Sequence, residues 1–385
     1  MVVSHIDDTY IHKIAVVIPK YGLVGGAEHF VSELTRRLSL NPGYDIHVFA
    51  NKWLVNAERL TFHKVPIITF PRFLTTFSFA CFAKNKMAKI GIDLIHTHDR
   101  ILDADIFTMH GVPHAFWIHE VRRKNMGFDD YATAWVEKKL VRNSRCKRFI
   151  SVSNLASEKF LQAYDVDAKK VQVIHPGIDM ERFRGLDRGQ CRHEIRSLWG
   201  IDETDVVILF VSMNFDIKGL DALMAAAAKV KSNDRSQKIK LLIVGKGEEK
   251  KYKRIANNLR IGNDVIFAGV HREKLEQIYL ASDMFSILSK FDTFGIAVLE
   301  AMSASLPVVV SGNVGAKDLV MHGINGFIIE DSTDMDRMSE KVGILLNKEV
   351  RTRMGVAAHE TALNNTWESV AKKYECIYDE LLERN

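Results

Sequence analysis

A chain of 385 residues, 47% hydrophobic and 26% charged, is too long for one simple core, suits two domains of ordinary size and is neither disordered nor fibrous. No apolar run approaches the ~20 residues that span a bilayer. The first residues lack a basic-then-apolar leader, and Cys81, Cys146, Cys191 and Cys376 show no C-x-x-C spacing, which argues against structural disulfides and zinc and for a reducing cytoplasm. The net charge of +5 sits in the first half: residues 1–175 hold 24 Lys and Arg against 17 Asp and Glu, the remainder 29 against 31. Such a half admits nucleic acid, an anionic membrane or an acidic acceptor as partner.

In chain order, Lys13–Pro19 (K-I-A-V-V-I-P) is a strand of the buried type, followed by Y-G-L-V-G-G-A-E-H-F and a helix with Phe30, Leu34 and Leu38 on one face. Strand, glycine-rich loop and helix suit a phosphate, although neither G-x-G-x-x-G nor a Walker lysine is present, and Gly22, Gly25 and Gly26 serve equally for a tight turn. Asp45–Asn51 and Val65–Phe70 are the next strand candidates. Pro71–Gly91 sets Phe73, Phe77, Phe79 and Phe82 beside Lys84, Lys86 and Lys89. That is the composition of an interfacial membrane helix, or of a helix packed on a sheet with its lysines outside.

Asp93–Asp99 and Ile106–Gly111 are short strands; His96 and His98 alternate on the first, with no third ligand in view to make a metal site. Asp129–Arg148 reads as a helix with a strongly basic end, Phe149–Ser153 and Lys170–Pro176 as strands, and Arg182–Asp202 as a polar linker. A second series follows: strands at Val206–Ser212, Lys240–Gly245, Val265–Gly269, Met284–Leu288 and Gly323–Glu330, with helices from Asp221, Lys274, Ser339 and Glu368. Two successive β/α series predict an α/β protein of two Rossmann-like, doubly wound domains facing a central cleft. The expected boundaries are 1–187, 188–366 and a C-terminal helix, 367–385, packing back on the first domain.

Within the second series, Ser289–Gly312 reads as loop, helix, turn and strand, with Asp292 just before the helix and Glu300 inside it. Eight residues at helical rise would separate the two acids by roughly 12 Å. The helix N-terminus between them suits a phosphate. Acid, phosphate seat and acid together suit a nucleotide diphosphate sugar; the plainer reading makes Asp292 a cap and Glu300 a solvated helix residue.

The chain resembles the retaining nucleotide-sugar glycosyltransferases of family 4, with their two-Rossmann B-type fold, over nearly its whole length. The resemblance rests on Gly25-Gly26-Ala27-Glu28, H-x-H-D at His96–Asp99, V-x-x-I-H-P-G-I-D at Val171–Asp179 and Lys218-Gly219. It rests further on V-G-x-G at Val244–Gly247, V-x-F-x-G at Val265–Gly269 and the acid-x₇-Glu element running into A-M-x-x-x-L-P-V-V at Asp292–Val309, with G-x-N-G-F at Gly323–Phe327 behind it. The N-F-D-I-K-G element is most similar to the lipopolysaccharide core glucosyltransferases.

The resemblance implies a hexosyltransferase, UDP-sugar favoured, that acts without metal or other cofactor. Catalytic roles would fall to His110, Lys218 and Asp292. The donor would be held by Gly25, Gly26, Lys218, Gly245, His271, Phe294, Gly295, Ile296 and Glu300: Lys218 and the backbone at Phe294–Ile296 on the diphosphate, Glu300 on the ribose, Asp292 and His110 on the sugar. The first domain would take a glycan or lipid-linked acceptor of the cell envelope, with peripheral contact to an anionic membrane and no nucleic acid. The leaving phosphate would deprotonate the acceptor, so no pair of close carboxylates is needed.

Three positions depart from the pattern. Asp292 and Asp318 stand where Glu is usual, and Met213 stands where an arginine often precedes the lysine, leaving Lys290 or Arg272 to supply the charge. A sugar-nucleotide 2-epimerase and a catalytically silent partner subunit of the same fold are the competing classes. Each would share the donor site, but the epimerase needs no acceptor and the silent subunit no intact Lys218.

Overall fold

Long aliphatic and β-branched runs are buried on both faces when strands lie parallel, and this chain builds such a sheet twice. The computed structural model describes residues 10–23, 25–54, 58–234, 238–271 and 273–383. It divides into two units, one reaching to Gly177 and regaining the C-terminal segment from Trp367, the other Ile178–Thr366. The division thus falls ten residues before the boundary expected at 187/188, after the H-P-G turn.

In the first unit the strands are β1 (His12–Val17), β2 (Lys20–Tyr21), β3 (Tyr44–Ala50), β4 (Lys52–Trp53), β5 (Leu60–Lys64), β6 (Leu94–Thr97), β7 (Ile106–Met109), β8 (Arg148–Ser151) and β9 (Val171–Val173). Seven of them form a parallel sheet in the order β5-β3-β1-β6-β7-β8-β9. Helices α1 (Gly26–Leu38), α2 (Leu74–Ala88), the short α3 (His114–Phe116), α4 (Phe128–Val141) and α5 (Asn154–Ala163) connect them. On one side the core joins Ala15, Val17 and Phe49 of the sheet to Phe79 and Ala83 of α2 and Leu140 of α4.

The second unit holds β10 (Val206–Ser212), β11 (Ile239–Gly245), β12 (Val265–Gly269), β13 (Met284–Ile287), β14 (Val308–Ser311) and β15 (Gly326–Ile329) in the order β12-β11-β10-β13-β14-β15. Its helices are α6 (Arg188–Leu198), α7 (Leu220–Asn233), α8 (Glu249–Asn258), α9 (Leu275–Ala281), α10 (Ile296–Ser303), α11 (Met335–Leu346) and α12 (Lys348–Leu363). The register of β10 on β11 runs from Val206↔Ile239 to Ser212↔Gly245, which sets the loop after β10 beside Gly245 at the C-terminal edge of the sheet.

The last helix, α13 (Trp367–Leu382), belongs to the first unit through buried polar contacts as well as apolar ones. Tyr378 and Tyr374 meet His96 and Thr108 on the sheet, Arg37 of α1 binds Glu368 at 2.7 Å, and the Trp367 ring stands edge-on to Phe30 at 5.1 Å.

Several expected elements differ. The strand placed at Val65–Phe70 lies earlier, at Leu60–Lys64, because Pro66 has no N–H for the ladder. The basic helix stops at Val141, and Arg148 already begins a strand. The polar linker contains α6, whose Asp187 caps the Gln190 N–H and which buries Cys191, Ile195 and Arg196 among exposed charges. One helix expected from Ser339 is two, α11 and α12, parted at Asn347, which caps the second. The phenylalanines of α2 do not share a face: Phe79 is buried, whereas Phe73, Phe77 and Phe82 remain partly exposed. Arg272 lies outside the described residues.

Candidate functional site

In the second unit the site grows from two loops at the C-terminal ends of adjacent strands, where open α/β sheets receive ligands. After β10 the chain turns through Asn214, whose side chain accepts the Ile217 N–H at 3.1 Å, and reaches Lys218. The carbonyls of Ile217 and Lys218 accept the N–H groups of Lys290 (2.8 Å) and Leu288 (3.3 Å). The lysine loop is thereby stitched to the loop after β13. Lys218 Nζ binds Asp292 Oδ2, joining two of the expected catalytic residues directly.

Asp292 is in the loop and not on the helix. Its N–H donates to Asn313 O and its carbonyl accepts from Gly315 N, both at 2.9 Å, and Phe294 O accepts from Ala316 N at 2.7 Å. Helix α10 starts only at Ile296, so the 12 Å separation expected from continuous helical rise does not apply. Gly295 carries a φ of 89°, and a Cβ there would lie 3.0 Å from both Asp292 Oδ2 and Val314 Cγ1. Glycine lets the loop close tightly enough to aim the first turn of α10, with Phe294, Gly295 and Ile296, next to the Lys218–Asp292 pair.

Glu300, one turn into α10, is 9% exposed and so is not a solvated helix residue. Its Oε1 accepts from Arg182 Nη1 at 3.0 Å and its Oε2 from the Tyr279 hydroxyl at 2.9 Å. Arg182 also binds Glu276 at 2.6 Å. Burial and then the Glu300 charge push the Tyr279 phenol well above its ordinary value, keeping it a donor. A carboxylate has about four lone-pair sites, so two held oxygens leave capacity for ligand hydroxyls. Sequence reasoning missed Arg182 and Tyr279; the only signal was that Arg182 follows the H-P-G-I-D motif by three residues.

Gly245 ends β11 with a φ of 122°, and a Cβ there would stand 1.7 Å from Ser212 O. This close approach lets Lys246 N–H donate to Ser212 O at 3.0 Å, drawing the loop after β11 over the end of β10. The His271 ring donates from Nε2 to Ala268 O at 2.7 Å and meets Trp199 edge-on at 5.5 Å, which fixes its plane beside half-exposed Val270. Met213 is 61% exposed. Lys290, a candidate for the charge missing there, binds Asp216 at 3.1 Å and holds that carboxyl below its ordinary value.

In the first unit Gly25 and Gly26 open α1; neither has a left-handed φ, and a Cβ at Gly26 would meet nothing within 4 Å. His110 follows β7 directly. Its Nε2 is 2.9 Å from His98 Nδ1, the two rings stack at 5.2 Å, and Phe30 lies against His110 at 4.8 Å. His96 on β6 and His98 directly after it are 4.0 Å apart at their ring centroids. His96 is bracketed by Tyr378 OH (2.6 Å) and Thr108 Oγ1 (2.7 Å). Burial pushes His96 and His110 down to about 3, and burial with two neighbouring imidazoles pushes His98 well down. These rings are neutral hydrogen-bonding groups at pH 7. Among the described residues no group of three or more His, Cys, Asp or Glu is placed to hold a metal ion.

The chain is similar to known proteins in sequence and in fold. An uncharacterized glycosyltransferase of Methanocaldococcus jannaschii is 29% identical over 82% of this chain and 84% of its own. A D-inositol 3-phosphate glycosyltransferase of Nocardia farcinica is 28% identical over 57% of this chain, and the match spans only half of that relative. Among solved structures, WaaG, a glycosyltransferase involved in lipopolysaccharide biosynthesis, superposes with a TM-score of 0.78 at 19% identity over 94% of this chain and 99% of its own. Anabaena HepE in complex with UDP-glucose superposes at 0.71 and 16% over 96% and 99%. Residues 24–182 match the model described as Glycosyltransferase Family 4 and residues 192–361 that described as Glycosyl transferases group 1. With the two models together covering most of both Rossmann-like units, the chain belongs to the glycosyltransferases of group 1 and family 4, with the B-type fold.

Proposed function

We propose that the protein is a retaining hexosyltransferase that moves a sugar from a nucleotide diphosphate, UDP favoured, to a cell-envelope glycan or lipid-linked acceptor in lipopolysaccharide or related polysaccharide synthesis. The observation that carries this reading is Lys218 bound to Asp292 at the glycine-opened start of α10, with a doubly anchored Glu300 one turn further. The complex of HepE with UDP-glucose and the lipopolysaccharide role of WaaG support the choice of donor and pathway. Lys218 and the α10 N-terminus take the diphosphate, Glu300 the ribose, His271 and its neighbours the base. Asp292 hydrogen-bonds the sugar. An acceptor oxygen bonds to the anomeric carbon as the bond to the diphosphate breaks, and the departing diphosphate oxygen takes the acceptor proton. Lysine and helix dipole offset the charge on the leaving group, so the reading needs no cofactor and no metal.

The reaction would run at the cytoplasmic face of a membrane. Helices α2 and α4 lie together, with the rings of Phe77 and Trp135 5.9 Å apart. They expose Phe73, Phe77, Phe82, Tyr131 and Trp135, and Lys84, Lys138, Lys139 and Arg142 line a surface hollow between them. Aromatic bodies among cations are the chemistry of an anionic lipid interface. Among the described residues no helix is long and apolar enough to cross a membrane.

The test is a panel of UDP-, GDP- and ADP-sugars read by thermal shift, followed by product analysis by NMR with donor alone and with acceptor. Stabilisation by one donor, slow hydrolysis of it alone and an α-product from an α-donor are expected. No stabilisation by any donor defeats the reading, and a donor epimerised at C2 without acceptor moves the protein to the isomerases.

A further inference from the structure

At the C-terminal ends of β6 and β7, wholly within the first unit, lies a cavity of about 270 Å³ lined by His98, Asp99, Arg100, His110 and Glu137, with Phe160 among its apolar walls. This is smaller than the ~300–1,000 Å³ of sites for drug-sized ligands and matches a single small ring.

Its cation is already matched. Arg100 Nε donates to Glu137 Oε2 at 2.7 Å, and Arg100 Nη1 lies 3.7 Å from Asp99 Oδ1. Glu137, 3% exposed, also accepts the His114 N–H at 3.0 Å and the Tyr164 O–H at 2.6 Å. Three donors, the guanidinium among them, converge on this one carboxyl, so Arg100 has an acidic partner before Asp99 is counted. Arg100 is the only Lys or Arg among the described residues that line the cavity. A phosphate or carboxylate entering here would shed its water and meet no net positive charge.

One polar atom, by contrast, is unmatched. His98 Nε2 is buried without a hydrogen-bond partner, in a residue 5% exposed whose other ring nitrogen is fixed by His110. Burial keeps the ring neutral, so Nε2 is a bare acceptor or an N–H according to tautomer. A hydroxyl satisfies either, because it both donates and accepts.

We propose that this cavity receives an uncharged hydroxylated ring of monosaccharide or cyclitol size, with a ring hydroxyl on His98 Nε2, and turns away the same ring bearing a phosphate or carboxylate. The inference rests on the reading of the first unit as the acceptor side and narrows the acceptor to a neutral sugar or polyol terminus.

Calorimetric titration of the full chain without donor tests it, using glucose against glucose 6-phosphate and myo-inositol against inositol 1-phosphate, with UDP-glucose in a parallel arm on the same wild-type protein. At least one neutral ring should bind ten or more times tighter than its phosphate. His98→Phe, which keeps the ring volume without the nitrogen, should weaken that binding at least tenfold, with His98→Gln as the substitute if the first does not fold. Glu137→Gln, or Asp99→Asn if the former is unstable, leaves Arg100 less neutralised and should shrink or reverse the preference. Binding of neither neutral ring, a phosphate bound as tightly as its neutral partner, or an indifferent His98 variant overturns the inference. Silence in the UDP-glucose arm alone defeats the transferase reading instead.

Discussion

Replacing Lys218 by methionine removes the charge and keeps the aliphatic stem. Lys218 Nζ binds Asp292 Oδ2, and the two side chains are 22% and 13% exposed, so the pair is partly shielded from water. If the lysine turns to a donor diphosphate, each charge-assisted hydrogen bond it makes is worth about 1.5–3 kcal/mol. Lys218→Met should then weaken UDP binding by about 10- to 150-fold. The same substitution leaves Asp292 without its counter-charge, which lowers stability by itself. The double variant Lys218→Met/Asp292→Asn separates the effects: its melting temperature should recover while UDP binding stays weak. Asp292→Asn alone frees the lysine. UDP, which carries no sugar, should bind that variant as well as the wild type or up to about tenfold tighter, while sugar transfer falls. Calorimetry with UDP and single-turnover transfer from UDP-glucose measure these outcomes. A Lys218→Met protein that melts normally and binds UDP within about twofold of wild type, less than about 0.5 kcal/mol, would refute the assignment.

Three further outcomes follow from other parts of the molecule. His96 and His110 sit near 3 when folded against 6.5 ordinarily, so unfolding takes up protons between those values and stability falls as pH drops through that window. Fully buried His96 alone should cost about 1.4 kcal/mol at pH 5.5 relative to pH 8; urea midpoints unchanged between those pH values would contradict it. Gly245→Ala drives a Cβ to 1.7 Å from Ser212 O at a φ of 122° and should lower stability by about 3 kcal/mol or more, against an unaltered melt if the loop yields. In flotation assays the chain should bind vesicles containing phosphatidylglycerol and not those of phosphatidylcholine alone. At about 1 kcal/mol per cation, changing Lys84, Lys138, Lys139 and Arg142 to alanine should reduce that binding by about a hundredfold or more, and equal binding by the variant would dismiss the α2–α4 surface.

The strand–helix alternation was legible because buried parallel strands need near-continuous apolar runs, such as Val206–Val211, and these leave little freedom of interpretation. Where charge diluted the pattern, it failed. Helix α6 carries Arg188, Arg192, His193, Glu194 and Arg196 and reads as a linker, yet its narrow stripe of Cys191 and Ile195 is enough once α9 lies across it. Arg196 itself is buried, because Asp283 and four backbone carbonyls receive its guanidinium. Of the candidate site, Lys218, Asp292, Gly295 and Glu300 are found by motif because they lie near each other in sequence or follow a strand end. Arg182, Tyr279, Arg100 and Glu137 are not, since each acts on a residue 21 to 118 positions away and belongs to no local pattern.

By itself the sequence determined the fold class, the two β/α series and the strand-end loops that carry Lys218 and Asp292. Those features follow from periodicity, glycine placement and strand ends, all local. The partners of each charged group were decided only by tertiary structure, because chain proximity does not reveal which carboxylate a buried cation will meet. So it stands with Ser289–Gly312. Its acids, Asp292 ahead of the helix and Glu300 inside it, were readable from the start, but that Asp292 is held to Asn313 and Gly315 and bound by Lys218, and that Glu300 is buried between Arg182 and Tyr279, follows from how β10, β13 and β14 bring their loops to one edge of the sheet.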